Sequence, residues 1–407
     1  MSVAAAIEVT ETAKLPVIAS IDAALAVARQ MGPKIRSMAN DTEANRIVSK
    51  DIVAEMKNSG LFSLTTPKEF GGAEMGFSAV VQVTAELARY CGSTGWVFGV
   101  LAGHSWLLNY FPKDVQKEVY GEGTRLTATV FRMGGKAVQE PGGIRITEGV
   151  GRFCSGIDHA DWVVVGATVE MLDGTVAPHF AIVSKKDLEV QDDWFTAGMR
   201  GTGSRTIHIR DALVPNGWAV PFSKMNEAGA KVAKALGKEV YAIPWTAILP
   251  FSLIGAPMGM ARGALQAFID GLKGRVQSFN PQQQAEQSAT FERLAAAATD
   301  IDAALALVVA DADYCDSIAD ASAMTPVKCS RISANWAWAA QTSRYAATRL
   351  FEAGGGSGIY NNSEIQRFWR DVNSAAQHIA FTWDSSMTSY GRALLDLPAN
   401  QYGVKGR

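Results

Sequence analysis

The sequence predicts an α+β protein in three successive parts: a helical domain over residues 1–122, an all-β domain over residues 123–223 and a four-helix bundle over residues 224–407. In the first and last parts, apolar residues recur every three or four positions, which is the period of an amphipathic helix. In the middle part, short β-branched runs alternate with glycine, aspartate and proline, which indicates strands joined by turns. The two changes of period set the expected domain boundaries.

Four helices are predicted in the first part. Residues 17–31, 41–59 and 77–90 each have one apolar face. The turn-rich stretch over residues 67–76 separates the second helix from the third. Residues 93–111 are apolar on nearly every side, and a helix of that composition is expected to be buried.

The middle and last parts are distinguished by the length and period of their apolar segments. The predicted strands are residues 125–131, 144–153, 162–169, 180–183 and 206–214. The predicted bundle helices are residues 251–274, 286–322, 326–351 and 363–397. Short connections between long helices favour antiparallel packing, so we expect these four helices to form the bundle.

A glycine-rich loop precedes the last predicted strand. Residues 196–204 contain Gly198, Gly201 and Gly203, which allow the backbone to approach a ligand closely. The loop leads into a strand, so it lacks the helix N-terminus on which Rossmann and P-loop phosphate sites depend. We therefore expect a flat or polar ligand against this loop rather than a phosphate site of either class.

Composition argues against several classes of function. The formal net charge of −2 favours neither nucleic acid nor an anionic membrane as a partner. The four cysteines have no zinc-ligand or disulfide spacing, so we expect no metal site and a reducing, cytoplasmic environment. The N-terminus lacks the pattern of a signal peptide, and no uninterrupted apolar run of about eighteen residues predicts a membrane span.

Three polar residues are candidates for chemistry. His104 and His378 are expected on apolar helices, where each is either a core histidine with a satisfied ring or a neutral base facing a cavity. Ser155 follows a strand without the GxSxG nucleophile pattern, so it is either a turn serine or a hydroxyl donor to a ligand at the sheet edge. Trp96 and its aromatic neighbours are either core or the walls of a pocket for a flat ligand.

Three segments resemble the acyl-CoA dehydrogenase superfamily, and the resemblance extends over nearly the whole chain. Residues 196–221 look like its glycine-rich turn and following strand. Residues 274–301 look like its arginine-led helical connection, and residues 351–371 like its Gly-Gly loop and Arg-Asp helix. The common dehydrogenases carry a catalytic glutamate a few residues beyond that Arg-Asp pair, whereas the last glutamate of this chain is Glu364.

The C-terminal region instead resembles the oxygenase component of two-component flavin-dependent aromatic monooxygenases. Residues 93–106, 153–162 and 375–392 carry the similarity to this branch. The branch includes oxygenases for p-hydroxyphenylacetate, for hydroxylated steroid rings and for indole or indoleacetate. The resemblance implies an acyl-CoA dehydrogenase-like fold with an N-terminal helical domain, a middle β-barrel or sandwich and a C-terminal four-helix bundle.

The same resemblance implies the site residues. Ser155 matches a hydroxyl near flavin N5 that would stabilise a C4a adduct, His378 an imidazole that would deprotonate a phenol or orient substrate and peroxide, and His104 a histidine on the substrate side. Residues implied to border the isoalloxazine or its ribityl phosphate are Trp96, Ser155, Gly156, Arg200, Thr202 and Ser204. Residues implied to reach the flavin tail, often from a neighbouring subunit, are Arg275, Gly354 and Gly355.

The resemblance also implies the reaction and its partners. Reduced flavin, as FMNH2 or FADH2, would come from a separate NAD(P)H:flavin reductase and react with the co-substrate O2 to give C4a-hydroperoxyflavin. That species would hydroxylate a small aromatic substrate of the phenol or indole type, and the oxygenase is expected to be a homotetramer. Two alternatives remain open: an acyl-CoA dehydrogenase or oxidase, and a non-catalytic binding protein with a flavin fold.

Overall fold

The N-terminal part of the computed structural model is helical. The structure describes residues 15–121, 123–272, 276–277, 280–283 and 288–398. The helices of the N-terminal part are α1 (Ile21–Ser37), α2 (Ala39–Asn45), α3 (Lys50–Asn58), α4 (Phe77–Ala88), α5 (Gly92–His104) and α6 (Lys113–Tyr120). Every residue of α5 is buried, in agreement with its uniformly apolar composition.

The prediction of one helix over residues 41–59 is wrong, because the structure has a break there. Arg46 adopts a left-handed conformation, with φ of 56°, and ends α2. Ser49 then caps α3, since its Oγ accepts from the backbone N–H of Asp51 at 3.2 Å. The break lets α2 pack against the turn Arg200–Thr202 in the glycine-rich loop.

The middle part forms one mixed sheet of eight strands. They are β1 (Thr127–Val130), β2 (Met133–Glu140), β3 (Gly143–Cys154), β4 (Trp162–Glu170), β5 (Val176–Ser184), β6 (Leu188–Gln191), β7 (Arg205–Pro215) and β8 (Ala219–Pro221). The order is β6-β7-β3-β2-β4-β5-β8, and β1 pairs with β4 in parallel. The sequence does not predict β2, β6 and β8, because β2 contains two glycines and the other two strands are short.

A bulge at the end of β3 positions the residue that follows it. Gly151 pairs with Ile207 but Cys154 pairs with Arg205, so β3 has one more residue than β7 over this interval. Phe153 takes a left-handed conformation inside the bulge, with φ of 62°. A bulge bends its strand and redirects the side chains beside it, so this irregularity determines where Ser155 points.

The C-terminal part is a helical bundle with a short strand pair. Its elements are α7 (Met225–Leu236), α8 (Phe251–Leu272), β9 (Val276–Gln277), β10 (Asn280–Gln283), α9 (Ser288–Asp316), α10 (Pro326–Ala353), α11 (Glu364–Ala375) and α12 (Trp383–Leu394). Helices α8, α9 and α10 pack on one another, while α11 packs against α8 and α12 against α10.

The prediction of one helix over residues 363–397 is also wrong. Helix α11 ends at Ala375, the 3-10 turn Ile379–Phe381 follows, and α12 begins at Trp383. His378 precedes the turn in an extended conformation, with φ of −60° and ψ of 138°. His378 therefore lies in a connection between two helices rather than on a helix as predicted.

Helix α8 joins the two helical parts of the protein. A Cβ atom on Gly255 or Gly259 would lie 2.3 or 2.2 Å from a backbone oxygen of α4, so the two backbones meet only because these residues are glycine. Within the described residues one segment, Trp245–Leu272, is long and apolar enough to cross a membrane. In this structure 83% of its apolar window is buried, which is typical of a helix in a protein core.

Candidate active site

Ser155 lies in a buried chain of hydrogen bonds. The indole Nε1 of Trp96 donates to Ser155 Oγ at 3.1 Å. Ser155 Oγ is 2.6 Å from Ser204 Oγ, and Ser204 Oγ is 2.7 Å from Thr202 Oγ1. Thr202 Oγ1 donates to the carbonyl oxygen of Met199 at 2.9 Å. The fold thus brings four of the predicted flavin-binding residues into one cluster, from α5, the end of β3 and the glycine-rich loop.

Gly156, a fifth predicted residue, belongs to the same cluster. Its backbone N–H donates to the carbonyl oxygen of Thr202 at 3.2 Å. Its φ of 73° lies in the left-handed region that favours glycine. A Cβ atom here would also lie 3.1 Å from the side chain of Leu101. The chain therefore turns sharply after Ser155 at a position that only glycine occupies without strain.

An ion pair holds this turn to the start of β7. Arg205 Nε donates to the two carboxylate oxygens of Asp158 at 3.0 and 3.2 Å. Gly203 lies beside the pair, and a Cβ atom on it would be 2.4 Å from Asp158 Oδ2. The glycines of the loop therefore serve close packing within the protein as well as any approach of a ligand.

His378 faces Trp96 from the C-terminal bundle. The two rings meet edge to face with centroids 5.5 Å apart. His378 Nδ1 accepts from the backbone N–H of Ala380 at 3.3 Å, so the proton of the neutral ring is on Nε2. Burial lowers the pKa of His378 to about 4, so the ring is neutral at pH 7. In this arrangement Nε2 is a hydrogen-bond donor.

His104 is a second neutral imidazole close to His378. It is buried at the end of α5, and its ring meets that of Phe131 edge to face at 5.2 Å. Burial, and to a smaller extent the charge that His378 would carry when protonated, lowers the pKa of His104 to about 3. Its Nδ1 has no hydrogen-bond partner among the described residues. A buried polar atom without a partner indicates a place for a bound ligand or water.

Aromatic residues that the sequence analysis did not single out extend this region. Phe131 stacks on Trp245 with centroids 5.8 Å apart, and Phe180 meets both rings. They follow β1, precede α8 and lie within β5, so no local periodicity connects them. Phe131 was predicted as the last residue of a strand and Trp245 lies outside the predicted elements, so neither position indicated a site.

The remaining predicted cofactor residues lie in other places. Arg200 lines a cavity of about 490 Å³, which Asn361, Trp369 and Arg370 also line. Gly354 lines a separate cavity of about 250 Å³ between α8 and α11, and Gly355 follows it with φ of 58°. Arg275 lies outside the described residues. Neither the cavity that Arg200 lines nor the one that Gly354 lines includes Ser155.

The residues around Ser155 fit the edge of a flavin ring. Ser155 Oγ retains a lone pair beyond its contacts with Trp96 and Ser204, and within the described part of the chain no charged side chain is hydrogen-bonded to it. The unpartnered Nδ1 of His104 and the Nε2 of His378 add polar atoms to an otherwise apolar and aromatic region. Binding sites for flat cofactors have this composition, mostly apolar with a few placed polar groups.

Two family models match the chain. The N-terminal domain of acyl-CoA dehydrogenase matches residues 22–124 and the C-terminal domain matches residues 252–383. Fold and site together define a flavoprotein with the acyl-CoA dehydrogenase fold, as the sequence predicts. The catalytic glutamate of the common dehydrogenases has no counterpart beyond the Arg-Asp pair, since residues 371–407 contain no glutamate. The last glutamate, Glu364, precedes that pair and is ion-paired with Arg36 and Arg367.

The relatives identify the branch. The chain is 31% identical over 380 residues to the flavin-dependent monooxygenase, oxygenase subunit HsaA, of Mycobacterium tuberculosis, which covers 92% of this chain and 95% of the relative. It is 30% identical to the oxygenase component of the FADH2-dependent resorcinol hydroxylase of Rhizobium sp., over 90% of this chain and 93% of that one.

Solved structures agree with this branch. The crystal structure of HsaA from M. tuberculosis has a TM-score of 0.85 at 30% identity, covering 94% of this chain and 99% of its own. XiaF from Streptomyces sp., solved in complex with FADH2 and glycerol, has a TM-score of 0.86 at 26% identity, covering 95% and 98%. The chain belongs to the family of oxygenase subunits of flavin-dependent monooxygenases. It is therefore an oxidoreductase, and the branch predicted from the sequence is confirmed.

Proposed function

We propose that this oxygenase binds reduced FMN or FAD with the N5 edge of the flavin at Ser155 and hydroxylates a small phenol or indole beside His378 and His104. The observation that carries the proposal is the meeting of Ser155, Trp96 and His378 in one uncharged cluster. Related oxygenases are named for resorcinol, p-hydroxyphenylacetate and indole-3-acetate, which are aromatic compounds of this kind.

The bound flavin would supply the activation of O2, and the protein would hold the reactants and exclude water. The site is suited to exclusion of water because Trp96, His104 and Ser155 are all buried. A reactive oxygen species on a cofactor is protected from loss to water in such a site.

His378 acts in this proposal as a donor that orients the substrate oxygen or nitrogen. The sequence analysis left two roles open, removal of a phenol proton and orientation. The contact between Nδ1 and Ala380 favours orientation, because the Nε2 that remains available already carries the proton. Its lowered pKa of about 4 keeps the ring neutral throughout the physiological range.

The partners follow from the two-component organisation. A separate NAD(P)H:flavin reductase supplies the reduced flavin, as the term oxygenase component implies for the relatives. We expect a cytoplasmic homotetramer without membrane association, in which Arg275, Gly354 and Gly355 of one subunit contact the flavin tail of another. Support for the shared site is that Gly354 lines a cavity whose lining does not include Ser155.

The alternatives are distinguished by a turnover assay and by a separate test of flavin reduction with an acyl-CoA. The oxygenase is incubated under 18O2 with an added NADH:flavin reductase, NADH, FMN or FAD and a panel of phenols and indoles. The products are analysed by mass spectrometry. We expect one 18O atom in a hydroxylated product. Formation of hydrogen peroxide alone with every compound contradicts the proposal and favours a binding protein. Reduction of bound oxidised flavin by an acyl-CoA favours the dehydrogenase.

A further inference from the structure

The hydroxyl protons of the Ser155 cluster can be assigned by counting. Three oxygen–oxygen contacts make up the hydrogen-bond chain of this cluster: Thr202 with the Met199 carbonyl at 2.9 Å, Thr202 with Ser204 at 2.7 Å, and Ser204 with Ser155 at 2.6 Å. Three hydroxyl groups supply one proton each. Each contact needs one proton, because two oxygens that face each other with lone pairs repel. All three protons are therefore used inside the chain.

The direction of the chain is fixed at both ends. The Met199 carbonyl only accepts, so Thr202 donates to it and must accept from Ser204. Ser204 must then accept from Ser155. At the other end the indole of Trp96 only donates, and it donates to Ser155 Oγ at 3.1 Å. Ser155 therefore has no proton to offer outside the chain, and its remaining lone pair acts only as an acceptor.

We infer that Thr202 and Ser204 are positioning residues that make Ser155 an obligate hydrogen-bond acceptor and thereby select the reduced over the oxidised form of the flavin. The inference rests on the proposed placement of flavin N5 at Ser155. It reassigns Thr202 and Ser204, which the sequence resemblance implied as flavin contacts, to a role that acts through Ser155. Their burial, with exposed fractions of 2% and 4% against 8% for Ser155, agrees with that order.

Selection follows from the chemistry of N5. Reduced flavin carries a hydrogen on N5 and is a donor there, whereas oxidised flavin has a lone pair on N5 and is an acceptor. An obligate acceptor at Ser155 completes a hydrogen bond with the first form and opposes a lone pair in the second. A serine that rotates freely would satisfy both forms, so the selectivity depends on the residues behind Ser155.

Removal of the Thr202 hydroxyl reverses the direction of the hydrogen bond between Ser204 and Ser155. In Thr202→Val the side chain keeps its shape but no longer accepts, so the Ser204 hydroxyl has Ser155 Oγ as its remaining acceptor. The Ser155 proton is then released toward the ligand and donates to N5 of oxidised flavin. Ser204→Ala has the same effect on Ser155 by removing its acceptor. Thr202→Ser keeps the hydroxyl and is the matched control.

The test is the ratio of two dissociation constants. Reduced FMN is titrated anaerobically and oxidised FMN in air against the full chain, and both titrations are repeated with FAD. Wild type and Thr202→Ser are each expected to bind reduced flavin more tightly than oxidised flavin. Thr202→Val and Ser204→Ala are expected to lower that preference by about tenfold, since one hydrogen bond is lost in one state and gained in the other.

The outcomes separate this inference from the proposed function. Equal ratios in wild type, Thr202→Val and Ser204→Ala overturn the inference while the oxygenase assignment stands. Equal affinity of the wild type for oxidised and reduced FMN also overturns the inference and leaves the oxygenase assignment intact. Absence of binding of either form by wild type overturns the flavin placement and the inference with it. If Thr202→Val does not fold, as judged by circular dichroism, Ser204→Ala supplies the test.

Discussion

The carboxylate of Asp371 accepts a hydrogen bond from the backbone N–H of Met199 at 2.6 Å. This contact joins α11 of the C-terminal bundle to the loop that carries Thr202 and Ser204. Met199 has a left-handed φ of 57°, which costs a non-glycine residue free energy and needs support from its surroundings. Helix α11 of the C-terminal bundle therefore supports the loop that orients the hydrogen bonds of Ser155.

Replacement of Asp371 tests this support. In Asp371→Ala the N–H of Met199 is left buried without a partner, and we expect a loss of about 1–3 kcal/mol in the free energy of unfolding. Asp371→Asn keeps an acceptor oxygen and is expected to lose less. Burial raises the pKa of Asp371 to about 6, above its unfolded value, so the wild type loses stability relative to Asn as pH rises through 6. Urea unfolding of the three proteins at pH 5 and pH 8 measures both effects. Equal stability losses in Ala and Asn at pH 8 contradict the role given to the acceptor.

His378→Ala is expected to lower the rate of hydroxylation while leaving flavin binding nearly intact. Loss of a placed donor commonly reduces turnover by roughly a hundredfold. His378→Asn is the matched variant, because Asn caps a turn well and retains an N–H donor. We expect partial recovery of turnover in His378→Asn, measured as product formed with a saturating supply of reduced flavin. Weakened binding of reduced flavin in both variants speaks against a role on the substrate side.

Ser155→Ala is expected to divert oxygen to hydrogen peroxide. The substitution removes the hydroxyl proposed to face flavin N5 and leaves the Trp96 indole N–H without its acceptor. The measurement is the ratio of hydroxylated product to hydrogen peroxide per NADH consumed. An unchanged ratio in Ser155→Ala, together with unchanged turnover in His378→Ala, removes the assignment of this site.

His104 makes the stability of the protein sensitive to acid. Its pKa is about 3 in the folded protein, below the value of about 6.5 expected when unfolded, so the unfolded state takes up the proton first as pH falls. The contribution is absent above pH 6.5 and destabilises the fold by roughly 2 kcal/mol at pH 5. His104→Gln is expected to lose less stability than wild type between pH 8 and pH 5. Asp316 and Asp371, with pKa values raised to about 6, oppose the histidine effect in the same range, so the comparison is made between variant and wild type. Parallel stability curves for the two proteins contradict a buried, neutral His104.

Gly156→Ala tests the turn behind Ser155. The new Cβ would have a left-handed φ and would lie 3.1 Å from Leu101, so we expect destabilisation of about 1–3 kcal/mol and weaker flavin binding. Gly174→Ala is the control, because Gly174 has a similar φ of 81° with no atom within 4 Å of the added Cβ. Thermal unfolding of both variants separates backbone strain from contact with Leu101. A smaller effect at Gly156 than at Gly174 contradicts the packing argument.

The sequence by itself determined the fold class, most helices and strands and the family. Period and composition are local properties, so the long strands β3, β4 and β7 and the start of the buried helix α5 were predicted close to their observed limits. The predicted end of that helix at residue 111 is wrong, because α5 ends at His104 and the 3-10 segment Ser105–Tyr110 follows it. The family segments also indicated Ser155 and His378 as residues of interest. Local patterns missed the two helix breaks, because an apolar period continues through residues 41–59 and 363–397 while single residues such as Arg46 and His378 leave the helical conformation.

Only the tertiary structure decided how the site residues act. Trp96, Ser155, Ser204 and His378 come from four separate segments, and their contacts depend on a bulge in β3, the close approach of α4 to α8 and the anchor at Asp371. The tautomer of His378 depends on a backbone N–H two residues away, and the direction of the Ser155 hydroxyl depends on a carbonyl at Met199. Hydrogen-bond direction is a property of all partners at once, and those partners meet only when the chain is folded.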